Sequence, residues 1–115
     1  MKDKKFTSQR ELAMRQLKHR IVQEKGYSEA SAEWLVERLA SLTDYMQYGN
    51  AVIAYTRQDG TFCLAIGTLR YYECYFHRPY NLSEVRSTVI YWDITLQGWR
   101  TFQAENLLEW RAVVN

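Results

Sequence analysis

Residues 69–80, Leu-Arg-Tyr-Tyr-Glu-Cys-Tyr-Phe-His-Arg-Pro-Tyr, hold the densest group of chemically useful side chains in this chain. Tyr71, Tyr72, Tyr75, Phe76 and Tyr80 interleave with Arg70, His77 and Arg78. Aromatic faces stack bases, and guanidinium groups contact phosphates or stack in turn, so this composition suits single-stranded nucleic acid. If the segment continues a strand, alternation puts Arg70, Tyr72 and Cys74 on one face and Tyr71, Glu73 and Tyr75 on the other. The same tyrosines equally suit the half-buried wall of a sheet or a contact with a second subunit.

The second candidate is electrostatic. Residues 1–27 carry eight Lys/Arg against three acids, a net of +5, and every lysine of the chain falls there. Residues 28–115 carry seven Arg against ten acids, a net of −3. A basic arm can neutralise phosphates or an acidic partner. Arg15, Lys18 and Arg20, with Arg70, Tyr72 and Arg78, are therefore expected to form an anion- or nucleic-acid-binding surface. The competing reading is a solvated helix face.

Other chemistry lacks its parts. Cys63 and Cys74 are too far apart for a zinc knuckle, and His77, three beyond Cys74, gives a pair of ligands rather than a site. Neither phosphate-cradling glycine pattern occurs, and no nucleophile has a base and an orienting partner in its neighbourhood. No cofactor, metal or enzymatic activity is expected. No apolar run approaches the length of a membrane helix. The charged N-terminus has no apolar signal core, which makes the cytoplasm the default location. Two cysteines do not make a disulfide framework.

The elements that must position these residues divide at Gly49. Over residues 8–25, Ser8 and Glu11 make a capping box, Ala13, Met14, Leu17 and Ile21 form an apolar stripe, and Gly26 suits a left-handed end. Ser28 starts a second helix whose face is Leu35, Leu39, Leu42 and Met46, running to about 48. The short link requires a helical hairpin or a helix-turn-helix corner. Beyond Gly49 the period changes to two. Residues 51–57 and 61–69 flank Asp59-Gly60 as a β-hairpin, and the second arm is expected to run on through 70–76. A loop follows at 77–84, then strands at 87–94 and 99–102 about a turn closed by Gly98. A single helical turn near 104–108 and a last strand at 109–114 complete the chain. The fold class is α+β: an N-terminal two-helix segment (1–49), then a five-stranded antiparallel Sm/SH3-like small barrel (50–115), because so short and aromatic a sheet hides its edges by curling. Leu35, Leu39, Phe62, Leu64, Ile66, Ile90 and Phe102 are the expected core, with Trp92 and Trp99 filling or covering the barrel.

Within residues 50–110, Asp59-Gly60-Thr61, Gly67-Thr68, Tyr91-Trp92-Asp93, Gly98-Trp99-Arg100, Phe102 and Asn106-Leu107 resemble a small bacterial and phage family described as a WYL-like Sm/SH3-type barrel. The closing strands also echo the WYL domain proper, which carries an aromatic pair and an Arg-x-Phe step. The resemblance implies a small barrel and, through the WYL domains of bacterial regulators, binding of nucleic acid or nucleotides. This chain has Tyr91-Trp92-Asp93 in place of a literal Trp-Tyr-Leu, and Gln103 where a further basic residue is usual. The resulting expectation is a non-catalytic regulatory or accessory module whose partners are nucleic acid or nucleotide, or a second copy, and not a membrane. The alternative is a protein-interaction module that self-associates through the helical hairpin.

Overall fold

The computed structural model describes residues 8–114; Lys2, Lys4 and Lys5 of the basic arm lie outside them. Helix α1 is Gln9–Lys25 and α2 is Glu29–Met46. The capping box forms as expected, with Ser8 Oγ accepting from the Glu11 N–H at 3.0 Å. Gly26 ends α1 at φ 72°. Ala13, Leu17 and Ile21 are buried on the face turned to α2, and Leu35, Leu39, Leu42 and Met46 carry α2 into the core. α2 stops two residues earlier than the sequence suggests. Gly49 is required for closeness instead: a Cβ there would sit 3.0 Å from the Tyr45 ring.

Five strands follow: β1 (Ala51–Thr56), β2 (Phe62–Thr68), β3 (Thr88–Asp93), β4 (Gly98–Gln103) and β5 (Leu107–Ala112). They form one antiparallel sheet in the order β4-β3-β2-β1-β5. A 3₁₀ turn, Ala104–Asn106, links the two outermost strands, so the sheet curls. The β1–β2 tip is held by Arg57 N–H to Thr61 O (2.8 Å) and Gly60 N–H to Arg57 O (2.9 Å), with Gly60 at φ 87°. Asp59 Oδ1 accepts from both the N–H and the hydroxyl of Thr61, which holds its carboxyl below its ordinary pKa.

Two expectations are corrected. Residues 70–76 do not extend β2: Tyr72–Phe76 is a single helical turn, α3, that ends with His77 at φ 57°. Its Tyr72 and Phe76 pack with Trp99 and Tyr80, so helical rather than alternating spacing assembles the aromatics. The β3–β4 turn is closed at Gly98, which pairs with Asp93, and its left-handed residue is Gln97, at φ 56°. Asp93 organises this turn, accepting from Leu96 N–H at its carboxylate and from Gln97 N–H at its carbonyl.

The second correction concerns β2, whose faces are inverted. Phe62 and Leu64 are 61% and 63% exposed, Ile66 and Ile90 are half-buried, and Cys63, Ala65 and Gly67 face inward. Volume explains it. The interior opposite β2 is filled by Tyr55 and Tyr91, joined hydroxyl to hydroxyl at 2.8 Å, and by Phe102 stacked 4.6 Å from Tyr55. A Cβ on Gly67 would approach Tyr91 Cδ2 to 2.6 Å. Only small residues fit beneath these rings, and close packing decides the face against hydrophobicity.

Candidate nucleic-acid interface

The six residues singled out by the sequence fall in different surroundings. Arg15 and Lys18 lie beside Glu33 and Glu37 of α2 around a shallow depression. Arg20 is on the other flank of α1, ion-paired with Glu24 at 3.5 Å. There it shares a cleft of about 240 Å³ with Gln16, Ser83 and Arg86. Its Nη2 is buried and has no hydrogen-bond partner among the described residues. Arg70 donates to Asn50 Oδ1 at 2.8 Å and lies over the Tyr71 ring. Tyr72 is only 3% exposed; its ring packs under Phe76, Tyr80 and Trp99. Its hydroxyl donates to Glu84, and burial, then the nearby Glu84 charge, raises its pKa. Arg78 is clasped by Glu84 and the Tyr72 hydroxyl, and the Glu84 hydrogen bond raises its pKa. The open aromatic faces are those of Tyr71 and Tyr75, exposed against Trp92.

A second cleft opens at the barrel mouth, about 210 Å³, between the end of β1 and strand β4. Tyr55 and Phe102 floor it, and Arg57, Gln58, Arg100 and Asn106 stand around it. Its lining contains no carboxylate. Arg100 is partly buried. Burial opposes its charge, but Tyr91, Tyr55, Cys63 and Asp93 outweigh that and hold it protonated. Asp93 Oδ2 lies 3.4 Å from its Nη1. The sequence reading did not place Arg57, Arg86 or Arg100 among the candidate binding residues; the structure sets them in these two clefts. Arg57 and Arg100 belong to elements far apart in the chain, and only curling of the sheet brings them together. The nearest available signal was their position, one just before Asp59-Gly60 and the other two before Phe102.

Against known proteins, the family model WYL_2, described as an Sm-like SH3 β-barrel fold, matches residues 39–108. The chain belongs to the WYL_2 family. No curated protein and no solved structure matches it. The WYL_2 match begins inside α2, which agrees with the bonds tying that helix to the sheet: Thr68 Oγ1 donates toward the carbonyls of Met46 and Gly49, and Leu69 N–H donates to Met46 O at 2.8 Å. In this WYL_2 chain Tyr91, Trp92 and Asp93 have three distinct tasks. Tyr91 fills the barrel, Trp92 packs outside it under Tyr71 and Tyr75, and Asp93 caps the β3–β4 turn and faces Arg100. Among the described residues no helix is long and apolar enough to cross a membrane.

Proposed function

We propose that this WYL_2 chain is a non-catalytic cytoplasmic module that contacts single-stranded nucleic acid. The observation that carries the reading is the pair of arginine-bearing clefts, Arg57 with Arg100 at the barrel mouth and Arg20 with Arg86 beside α1, neither lined by a carboxylate among the described residues. A backbone phosphate entering either meets one arginine, Arg57 or Arg86, with no ion pair among the described residues, while Arg100 is shared with Asp93 and Arg20 with Glu24. The mouth adds amides and hydroxyls able to bond a base or sugar. Tyr71 and Tyr75, with Arg70 alongside, supply exposed rings for stacking. Arg15 and Lys18 stand beside Glu33 and Glu37 and Arg20 is paired with Glu24, so these three contribute less than Arg57 and Arg86.

Fluorescence anisotropy with labelled single-stranded DNA and RNA over a range of salt tests this. The Arg57→Gln/Arg86→Gln variant should weaken binding and flatten the salt dependence by about 0.7 in log–log slope for each arginine that had neutralised a phosphate. Arg20→Gln and Arg15→Gln/Lys18→Gln should have smaller effects. No binding by the wild type at low salt would end the reading. The second reading, a protein-interaction module, has its own observation: Trp34 is 56% exposed in a groove with Tyr27 and Leu108, between α2 and β5. Salt-resistant self-association lost on Trp34→Ala would favour it.

A further inference from the structure

The two edges of β2 differ. One pairs with β1 along the whole strand, from Phe62 opposite Thr56 to Gly67 opposite Ala51. The other meets β3 only at Gly67–Asp93 and Thr68–Trp92, with one added bond from Ile94 N–H to Ile66 O at 2.9 Å. Because Arg57 N–H bonds Thr61 O, alternation along the ladder makes Thr56–Phe62 and Ala54–Leu64 the non-hydrogen-bonded pairs. The N–H and C=O groups of Phe62 and Leu64 therefore point away from β1, toward an edge where no other strand pairs with them among the described residues. Beside that edge runs a groove of about 540 Å³, and across it stands Leu96, 62% exposed.

Edge strands are normally guarded by charge. Here β4 has Arg100 and β5 has Glu109 and Arg111, yet residues 61–69 contain no charged side chain at all. An open edge with no charged side chain of its own, flanked by exposed Phe62 and Leu64, is a template for another strand; Arg57, Asp93 and Arg100 line the groove beside it. The strand it fits best is its own copy. Outward-pointing groups at positions i and i+2 of an antiparallel edge are self-complementary about a two-fold axis, so that one register satisfies both copies.

We propose that the free edge of β2 is a self-association site, at which two copies pair antiparallel through Phe62–Leu64 about a two-fold axis at Cys63. Phe62 of each copy then lies opposite Leu64 of the other, giving four backbone hydrogen bonds. The two apolar side chains of each copy meet on the outer face of a sheet continuous across the dimer. The register makes a further demand. The two Cys63 residues face each other as a non-hydrogen-bonded pair, with Cα atoms about 4.5 Å apart, a separation a disulfide can span.

Sedimentation velocity over a wide concentration range, with wild type, Leu64→Lys, Leu64→Pro and Trp34→Ala, tests the interface. Proline at 64 removes an N–H that no bond among the described residues uses, and thermal melting checks that the fold is retained. The wild type should dimerise, both Leu64 variants should weaken association roughly tenfold or more, and Trp34→Ala should leave it unchanged. In parallel, diamide, taking up the two thiol hydrogens as it is reduced, should yield a thiol-reversible dimer from wild type and Cys74→Ser but none from Cys63→Ser. A wild type that stays monomeric, a dimer indifferent to Leu64→Lys, or cross-linking through Cys74 alone would overturn the proposal. If Leu64→Pro does not fold, Leu64→Lys and the cross-linking pattern still decide it.

Discussion

Phe62 and Phe102 are both aromatic residues on strands, and their environments make them opposites. Phe102 is buried and stacked on Tyr55, so Phe102→Ala should cost about 3–5 kcal/mol through lost burial and a residual cavity. Phe62→Ala, studied in dilute solution, should change stability by no more than about 0.5 kcal/mol, the range of exposed positions. Chemical denaturation of both variants checks the inverted face of β2 directly. The Tyr55–Tyr91 hydroxyl pair adds a pH signature. Burial raises both pKa values above the ordinary 10.0, and their mutual hydrogen bond adds to the rise at Tyr91. A raised folded pKa means that the native state holds these protons longer than the unfolded chain does. The stabilisation is complete below the unfolded value and is lost as pH climbs from about 10 toward the folded values. Tyr55→Phe/Tyr91→Phe should therefore flatten the alkaline fall in melting temperature. Tyr91→Phe alone should be worse at neutral pH, because it leaves one buried hydroxyl without its partner.

At the scale of elements, the turns and helix ends were the most legible parts. The capping box at Ser8, the left-handed Gly26 and the Asp59-Gly60 tip each rest on a local rule, and each formed as the rule requires. In the β3–β4 turn, closed by Gly98 as expected, Gln97 takes the positive φ at a steric cost to its Cβ. Gln97→Gly should relieve that cost and stabilise the chain by about 1 kcal/mol, seen as a higher denaturation midpoint with an unchanged slope. Gly67→Ala should do the reverse, since its Cβ would collide with Tyr91 and Ile53. Residues 70–76 were the hardest. A tyrosine-rich run satisfies strand propensity, and only the cluster under Trp99 makes one helical turn the better solution.

At the scale of the molecule, Gly49 marks a change of element but not a gap in the core. One apolar cluster runs from Leu17 and Ile21 through Leu39 and Met46 to Ile53, Tyr91 and Phe102. Arg38 of α2 pairs with Glu109 and lies over Trp110 of β5. We therefore expect a fragment of residues 50–115 to lack cooperative unfolding and dispersed amide signals, and a fragment beginning at Ser28 to keep the fold with reduced stability. A dispersed proton–nitrogen spectrum from the 50–115 fragment would contradict this.

The sequence alone determined the order and kind of the main elements. Periodicity, caps and turn residues act over a few positions and need no distant partner. Its charge and aromatic counts also marked a basic segment and a tyrosine-rich one. Tertiary structure decided which residues meet. It set Arg15 and Lys18 beside acids and Arg20 beside Arg86, buried Tyr72, and brought Arg57 to Arg100 across the barrel mouth. It also turned Phe62 and Leu64 outward, because Tyr55, Tyr91 and Phe102 already occupied the volume they would have filled. Packing is a competition for shared space among residues remote in the chain, and no local pattern records its outcome.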